Sequence, residues 1–391
     1  MRAGGGVSGA DDERVRRWRL VLGGGAADGT GAVPAGDDAR MDGALERLYG
    51  GDSGEGRARP GRRGAGLGDS APSVARWLGD VRACFPSTVV RIMQRDAIER
   101  LDLARLLLEP EMLDAVEPDV HLVGTLLALN TVLPDRARES ARAVVRRVAD
   151  ELERRLAQRT RSAVGAALDR SARTARPARA ADVDWERTVR ANLRHYLPEQ
   201  GTVVPERLVG HGRGRAALRD VVLCVDQSGS MAASVVFAGV FGAALASLRS
   251  LRTSLVAFDT AVVDLTDRLH DPVDVLFGTQ LGGGTDIGRA LAYCAGSITR
   301  PSATVLVLIS DLFEGGSRDE LLRRAAALTA AGVRVVVLLA LSDDGTPAHD
   351  HANAAALAAL GVPVFACTPD AFPDLMAAAV EGRDLRDFSG R

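Results

Sequence analysis

The chain contains no lysine: all 49 of its basic residues are arginine. That absence removes a P-loop lysine, a Schiff-base lysine and a lysine general base together. It also suggests a GC-rich bacterial coding sequence. Cysteine is scarce. Cys84, Cys224, Cys294 and Cys367 stand alone and form no CxxC pair, so a thiolate zinc site is not expected. Cys224 and Cys367 lie inside apolar runs and read as small buried hydrophobes. This usage fits a reducing compartment, and a cytoplasmic location is expected. Residues 1–18 lack the apolar run of a secretory signal. The net charge of -2 gives no overall attraction to nucleic acid.

What is present is an ordinary globular composition, 46% hydrophobic and 26% charged over 391 residues, enough for two or three domains. One uncharged stretch, 227–248, is long enough to raise a membrane span. It opens with Gln227, Ser228 and Ser230 and is rich in Gly, Ala and Ser, so a helix buried against a sheet is the better reading. No membrane segment is expected.

Three regions separate by composition. Residues 1–70 are broken by glycine runs; helices are expected over 12–22 and 40–49, with the rest flexible. Residues 71–214 read as a mainly helical domain. Val144, Val145, Val148, Leu152 and Leu156 recur at three- and four-residue steps. Pro110, Pro118, Pro134, Pro177 and Pro198 punctuate the run. Between residues 136 and 179 thirteen arginines face five acids. They read either as a solvated helix face with pairs such as Glu151–Arg155 or as a patch for an acidic partner or RNA. The lack of interleaved aromatics favours the first.

Residues 216–391 alternate strands and helices. Apolar runs at 221–225, 255–258, 304–309, 333–339 and 362–366 read as strands buried on both faces, hence a parallel sheet. Helical stretches fall at 232–249, 287–296, 318–331, 353–360 and 369–381. Residues 262–266 follow Phe258 after a very short turn, which permits only an antiparallel neighbour. The fold class is therefore α/β: a doubly wound, mostly parallel sheet with an antiparallel edge, preceded by a mainly α-helical domain. In such sheets ligands bind at the carboxyl ends of the strands.

At those ends the sequence places oxygen ligands. Asp226, Ser228 and Ser230 follow the first strand at alternate positions, with Gly229 allowing a tight loop. Ser310 and Asp311 follow the strand at 304–309. Between them Gly282, Gly283 and Gly284 form a loop that can bring Thr285 over the same point. Two carboxylates and three hydroxyls suit Mg²⁺, or Mn²⁺, and suit zinc poorly. Few direct carboxylates leave a bound cation positive enough to take an anionic ligand from outside, such as an Asp or Glu of a partner protein.

Asp226-x-Ser228-x-Ser230, then Thr285, then Asp311 resembles the metal-ion-dependent adhesion site of von Willebrand factor A (VWA) domains, in order, spacing and strand-tip placement. The resemblance covers about 219–381. It implies that Ser228, Ser230 and Thr285 bind the metal directly and that Asp226 and Asp311 do so directly or through water. The phrases at 222–231 and 280–286 also resemble bacterial CoxE-like VWA proteins. That likeness implies a helical region ahead of the VWA domain and a MoxR-type AAA+ ATPase as partner.

Other candidates carry blander readings. Asp286 is expected to cap the helix at Ile287. Asp259 reads as a surface carboxylate near the site, with an outer-acid role as its alternative. Asp264 lies on the edge strand. His349, Asp350 and His351 read as a polar loop rather than a second metal site, and His195 as packing or surface. A haloacid-dehalogenase-type phosphatase wants Asp-x-Asp, but Ser228 fills the second position. No histidine is expected at a strand tip for Ser-His-Asp chemistry, and no nucleophile with an adjacent base can be named. The expected function is a non-enzymatic adaptor, with a metal-dependent hydrolase and an RNA-binding protein as alternatives.

Overall fold

A computed structural model describes residues 34–49, 71–100, 107–171, 173–174, 183–211, 219–279, 282–343, 348–385 and 388. The helix expected over 12–22 lies outside them. The chain divides into two compact units at Val145/Arg146, so the division follows a different line from the compositional regions.

In the first unit the helices are α1 (Asp37–Tyr49), α2 (Ala71–Cys84), α3 (Ser87–Arg100), α4 (Pro110–Ala115), α5 (Val120–Ala128) and the start of α6 (Asp135–Leu152). Trp77, Leu78, Met93, Leu113, Leu122 and Leu126 fill the core. Buried Gln94 ties α3 to the turn before α5. Its side chain donates to the Glu117 carbonyl at 2.9 Å and accepts the Glu117 N–H at 2.8 Å.

The second unit holds the rest of α6, a π turn (Glu153–Ala157), α7 (Gln158–Ser171), a short α8 (Trp185–Ala191) and a six-stranded sheet. Its strands are β1 (Arg219–Asp226), β2 (Leu251–Phe258), β3 (Val262–Asp264), β4 (Thr304–Ile309), β5 (Arg334–Leu341) and β6 (Val364–Cys367), ordered β6-β5-β4-β1-β2-β3. All neighbours are parallel except β2–β3. The strand order reverses at β1, the switch point where such sheets bind ligands.

The helices of this half are α9 (Ala232–Ala246), α10 (Pro272–Leu276), α11 (Ile287–Ser297), α12 (Arg318–Ala330), α13 (His351–Ala359) and α14 (Phe372–Glu381). Every residue of β4 is buried, as strands covered on both faces require. Val222, Cys224 and Leu306 pack on one face with Ile287, Leu291, Leu321 and Leu357 from α11, α12 and α13. The other face meets α9, whose Phe241 ring lies 4.4 Å from the Phe372 ring of α14. The uncharged stretch is explained here. Gly229–Ala246 is long and apolar enough to cross a bilayer by length and composition, yet 67% of it is buried inside the protein. A helix covered on nearly all sides carries no polar face.

The arginine-rich run does not form the Glu151–Arg155 pair expected from its spacing. Arg155 instead faces Asp370 at 3.4 Å and Asp343 at 3.7 Å. Arg159 binds Asp374 at 2.9 Å. Arg146 grips Asp271 with two bonds of 3.2 and 2.8 Å, which raises its pKa. Part of the basic charge is thus turned onto carboxylates of the same unit, and α7 packs along α14.

Candidate metal centre

Strand β1 ends on Asp226, whose side chain is fully buried. The chain then turns through Gly229–Met231, a single 3₁₀ turn, into α9. One Asp226 oxygen accepts the Ser228 N–H at 2.9 Å, which folds the loop back over the strand tip. The other accepts the Ser310 hydroxyl at 2.8 Å, from the tip of neighbouring β4. Ser310 in turn accepts the Leu312 N–H at 3.0 Å. Outward of this layer, the Ser228 and Ser230 hydroxyls lie 3.2 Å apart, and Ser230 donates to an Asp311 oxygen at 2.6 Å. Asp226, Ser228 and Ser230 therefore share one hydrogen-bonded cluster with Asp311, 81 residues on from Ser230. Burial raises the Asp226 pKa, and the nearby charge of Asp311 adds to the rise. Hydrogen bonds from Ser228 and Ser310 oppose it.

Thr285 is brought beside this cluster by backbone bonds of its loop. The Gly282 N–H donates to the Gln227 carbonyl at 3.1 Å, the Asp286 N–H to the Asp259 carbonyl at 2.9 Å, and the Gly315 N–H to the Thr285 carbonyl at 2.8 Å. The loop is thus stitched to the tips of β1 and β2 and to the turn after β4. Glycine is required on this path. Gly283 has φ +106°, a region that side chains rarely adopt, and a Cβ on Gly315 would come within 2.9 Å of the Thr285 carbonyl oxygen. The Thr285 side chain is buried, but its hydroxyl is not a member of the hydrogen-bonded chain above.

The turn after β4 is held in an uncommon shape. Leu312 has φ 64°, the one positive value among described non-glycine residues, and its side chain is fully buried. Leucine in this region is strained and persists where surroundings impose it. Here Ser310 receives its N–H, and the Asn353 amide donates to its carbonyl at 3.0 Å. The Asp350 N–H donates to the Asp311 carbonyl at 2.9 Å. The result buries Asp311 and leaves Phe313, two residues on, half exposed at the rim.

Ser310, which sequence marks only as the neighbour of Asp311, and Asn353 and Glu314, which it does not mark, support the site. Glu314 accepts the Ile287 N–H at 2.9 Å and the Gly316 N–H at 2.8 Å, and burial raises its pKa, with the Asp286 charge adding. Asp286 caps α11 by accepting the Arg289 N–H at 2.8 Å. Asp259 accepts the Ala261 N–H at 2.6 Å in its own turn. Asp264 serves Thr266 and Tyr293.

Asp350 caps α13 through Asn353, so its carboxylate is engaged there rather than offered between His349 and His351. Among the described residues no three His, Cys, Asp or Glu side chains are grouped to hold a metal. The oxygen donors at the strand tips are two carboxylates plus hydroxyls. Cys224 and Cys294 are buried together, which raises the Cys224 pKa. Burial pushes Cys367 up to about 12.

The family model described as VWA domain containing CoxE-like protein matches residues 152–376. The match begins at Leu152, in the helical segment that packs within the second unit. The Escherichia coli (strain K12) protein YehP is 36% identical over 358 residues, covering 91% of this chain and 93% of that one. A von Willebrand factor type A protein from Catenulispora acidiphila aligns at 20% identity over 42% of this chain and 43% of its own, with a TM-score of 0.33. The RO (RSR) protein of Deinococcus radiodurans aligns at 14% identity over 96% and 85%, with a TM-score of 0.31.

Proposed function

Because this chain belongs to the family of CoxE-like proteins containing a VWA domain, we propose that it is a non-enzymatic protein-interaction module that holds a partner through a divalent cation, most simply Mg²⁺. The observation that carries this reading is the layered cluster at the strand tips. Two buried carboxylates, Asp226 and Asp311, stand behind serine hydroxyls at Ser228 and Ser230 that face outward.

The donor chemistry fits the ion. Hard oxygens suit Mg²⁺ or Mn²⁺, and a pair of buried acids that repel one another gains from a cation between them. Asp226, Ser228, Ser230, Thr285 and Asp311 would hold it. When bound, the cation supplies a Lewis-acidic position for an acidic side chain of the partner. This chain's own residues do the rest. Ser310 fixes Asp226, the strained Leu312 turn fixes Asp311, and the glycine loop delivers Thr285. Phe313 adds an apolar contact at the rim, the type of side chain that anchors interfaces.

By family likeness the partner is a MoxR-type AAA+ ATPase or one of its clients, met in the cytosol. A hydrolytic role has no support in the side chains around the cluster. Asp259 is spent on its own turn, and no histidine joins the hydrogen-bonded chain. RNA binding through the arginine run is disfavoured by the ion pairs that occupy Arg146, Arg155 and Arg159.

Affinity capture from native cell extract, with Mg²⁺ and again with EDTA, tests the reading. The expected partner is lost with EDTA and lost again in Ser228→Ala. A partner retained under both conditions moves the working interface away from the strand tips.

A further inference from the structure

At the amino ends of β5 and β6, the end of the sheet opposite the metal centre, lies a cavity of about 450 Å³. The eight residues of β5 set the two roughly 25 Å apart. Apolar side chains supply much of the cavity wall. Val335, Val362, Val364, Phe365 and Leu385 line it, and all but Val364 are buried. Two charged side chains line the same space, Arg334 at the start of β5 and Asp384 after α14. Volume and lining are those of a small-molecule site.

Arg334 is only partly engaged by the fold. Its Nη1 group donates to the Ala378 and Ala379 carbonyls at 3.3 and 2.9 Å, which caps the end of α14. The Nε–Nη2 edge of a guanidinium grips a carboxylate with two parallel bonds. In Arg334 that edge has no partner among the described residues. Asp384 supports the Arg334 charge from a distance and forms no ion pair with it. Burial lowers the Arg334 pKa, Asp384 opposes the fall, and the neighbouring Arg219 adds to it. Arg219 itself carries a buried Nε with no hydrogen-bond partner. A half-buried cation beside a second cation, with no carboxylate paired to it, is destabilising. A ligand carboxylate relieves it.

We propose that this cavity binds a small zwitterion with an apolar tail, an α-amino acid such as leucine or phenylalanine. Its carboxylate meets the open edge of Arg334, its ammonium meets Asp384, and its side chain lies against Val362, Phe365 and Leu385. The two lining charges select this class. An apolar acid brings its carboxylate toward Asp384 with nothing to offset the repulsion, and an apolar amine is repelled by Arg334. Opposite charges that line one cavity without touching are bridged by a ligand that carries both signs. Asp384 is exposed while most of the apolar wall is buried, which turns the charged head toward solvent and the tail inward. The carboxylates of the metal centre lie at the other end of the sheet and take no part.

Isothermal titration calorimetry of the full chain with leucine and with phenylalanine tests the proposal. The expected Kd lies between about 10 µM and about 1 mM, as a ligand of so few atoms allows, and is the same with Mg²⁺ and with EDTA. Isocaproate, which lacks the ammonium of leucine, and isoamylamine, which lacks its carboxylate, should each bind at least about tenfold more weakly. Asp384→Asn, a change at an exposed position, should weaken leucine by about tenfold and leave isocaproate no weaker. Arg334→Gln should remove binding of both. Because Arg334 also holds the end of α14, folding of that variant is checked by its melting curve, and the analogue series on the wild type stands apart from it. The proposal is overturned if neither amino acid binds at about 10 mM, if isocaproate binds as tightly as leucine, or if Asp384→Asn leaves the affinity for leucine unchanged.

Discussion

The tip of the sheet and the arm of residues 183–211, whose base is closed by the Val183–Gly210 bridge, break the same rule in opposite directions. At the tip, the Asp226 and Asp311 carboxylates and the Ser310 hydroxyl are buried; on the arm, Trp185, Leu193 and Tyr196 are exposed. Each break is made tolerable locally. Asp226 and Ser310 are hydrogen-bonded from two sides, and the arm is held by the polar anchors Thr188 and Asn192. Buried, satisfied polar groups define a fixed site for a small charged ligand. Exposed apolar groups define a surface for something large. The tip lies at the centre of a cooperative sheet, whereas the arm is attached mainly at its base. Similar lesions should therefore have global effects in one and local effects in the other.

The largest expected contrast comes from deleting one polar anchor in each. Ser310→Ala strands a buried carboxylate oxygen and the Leu312 N–H, and should cost about 2–3 kcal/mol of global stability in urea unfolding. Next is the cation. Magnesium at tenfold over its Kd should stabilise the wild type by about 1.4 kcal/mol and raise its melting temperature, and should do little for Asp226→Asn. A flat melting curve across Mg²⁺ and Mn²⁺ counts against the proposed site.

A third test uses pH. Asp226 is held above its ordinary pKa by burial, so the folded state binds its proton more readily than the unfolded chain does. Its contribution to metal-free stability grows as pH falls through the folded value and stops growing below about 4. Asp226→Asn should remove that slope, and Mg²⁺, which favours the carboxylate, should oppose it. The smallest global effect is expected on the arm. Thr188→Val should shift overall stability by less than about 1 kcal/mol while speeding amide hydrogen exchange across 183–211, because opening there does not require unfolding the sheet. A global loss as large as that of Ser310→Ala would erase the distinction between the two regions.

Much of the sheet was legible because buried parallel strands are continuous apolar runs. The strand at 304–309 matches β4 residue for residue, and the short turn after Phe258 correctly implied the antiparallel edge of β3. The start of β2 was not legible, since Arg252, Thr253 and Ser254 interrupt its apolar run. That Asp226, Ser228, Ser230 and Asp311 come together was legible because they sit at the ends of neighbouring strands. Their supports were not. Ser310, Glu314 and Asn353 act through partners dozens of residues away or through backbone shape, and a lone Ser or Asn carries no periodic signal. The arm was missed for a related reason. No sequence reading singles out Val189 or Leu193, and only three-dimensional placement shows them exposed.

The packing of α7 along α14 also sets a timetable. On the ribosome, the apolar side of α7, with Val164, Ala167 and Leu168, emerges roughly two hundred residues before Phe372, Leu375 and Met376, which cover it. At ordinary elongation rates that interval lasts about 10–40 s. During it all six strands of the sheet emerge, yet α7 lacks the helix it packs along, and the unit closes only when nearly the whole chain has been made. Nascent chains stalled before residue 372 should therefore be the ones that engage chaperones, while those released just after it should be protease-resistant.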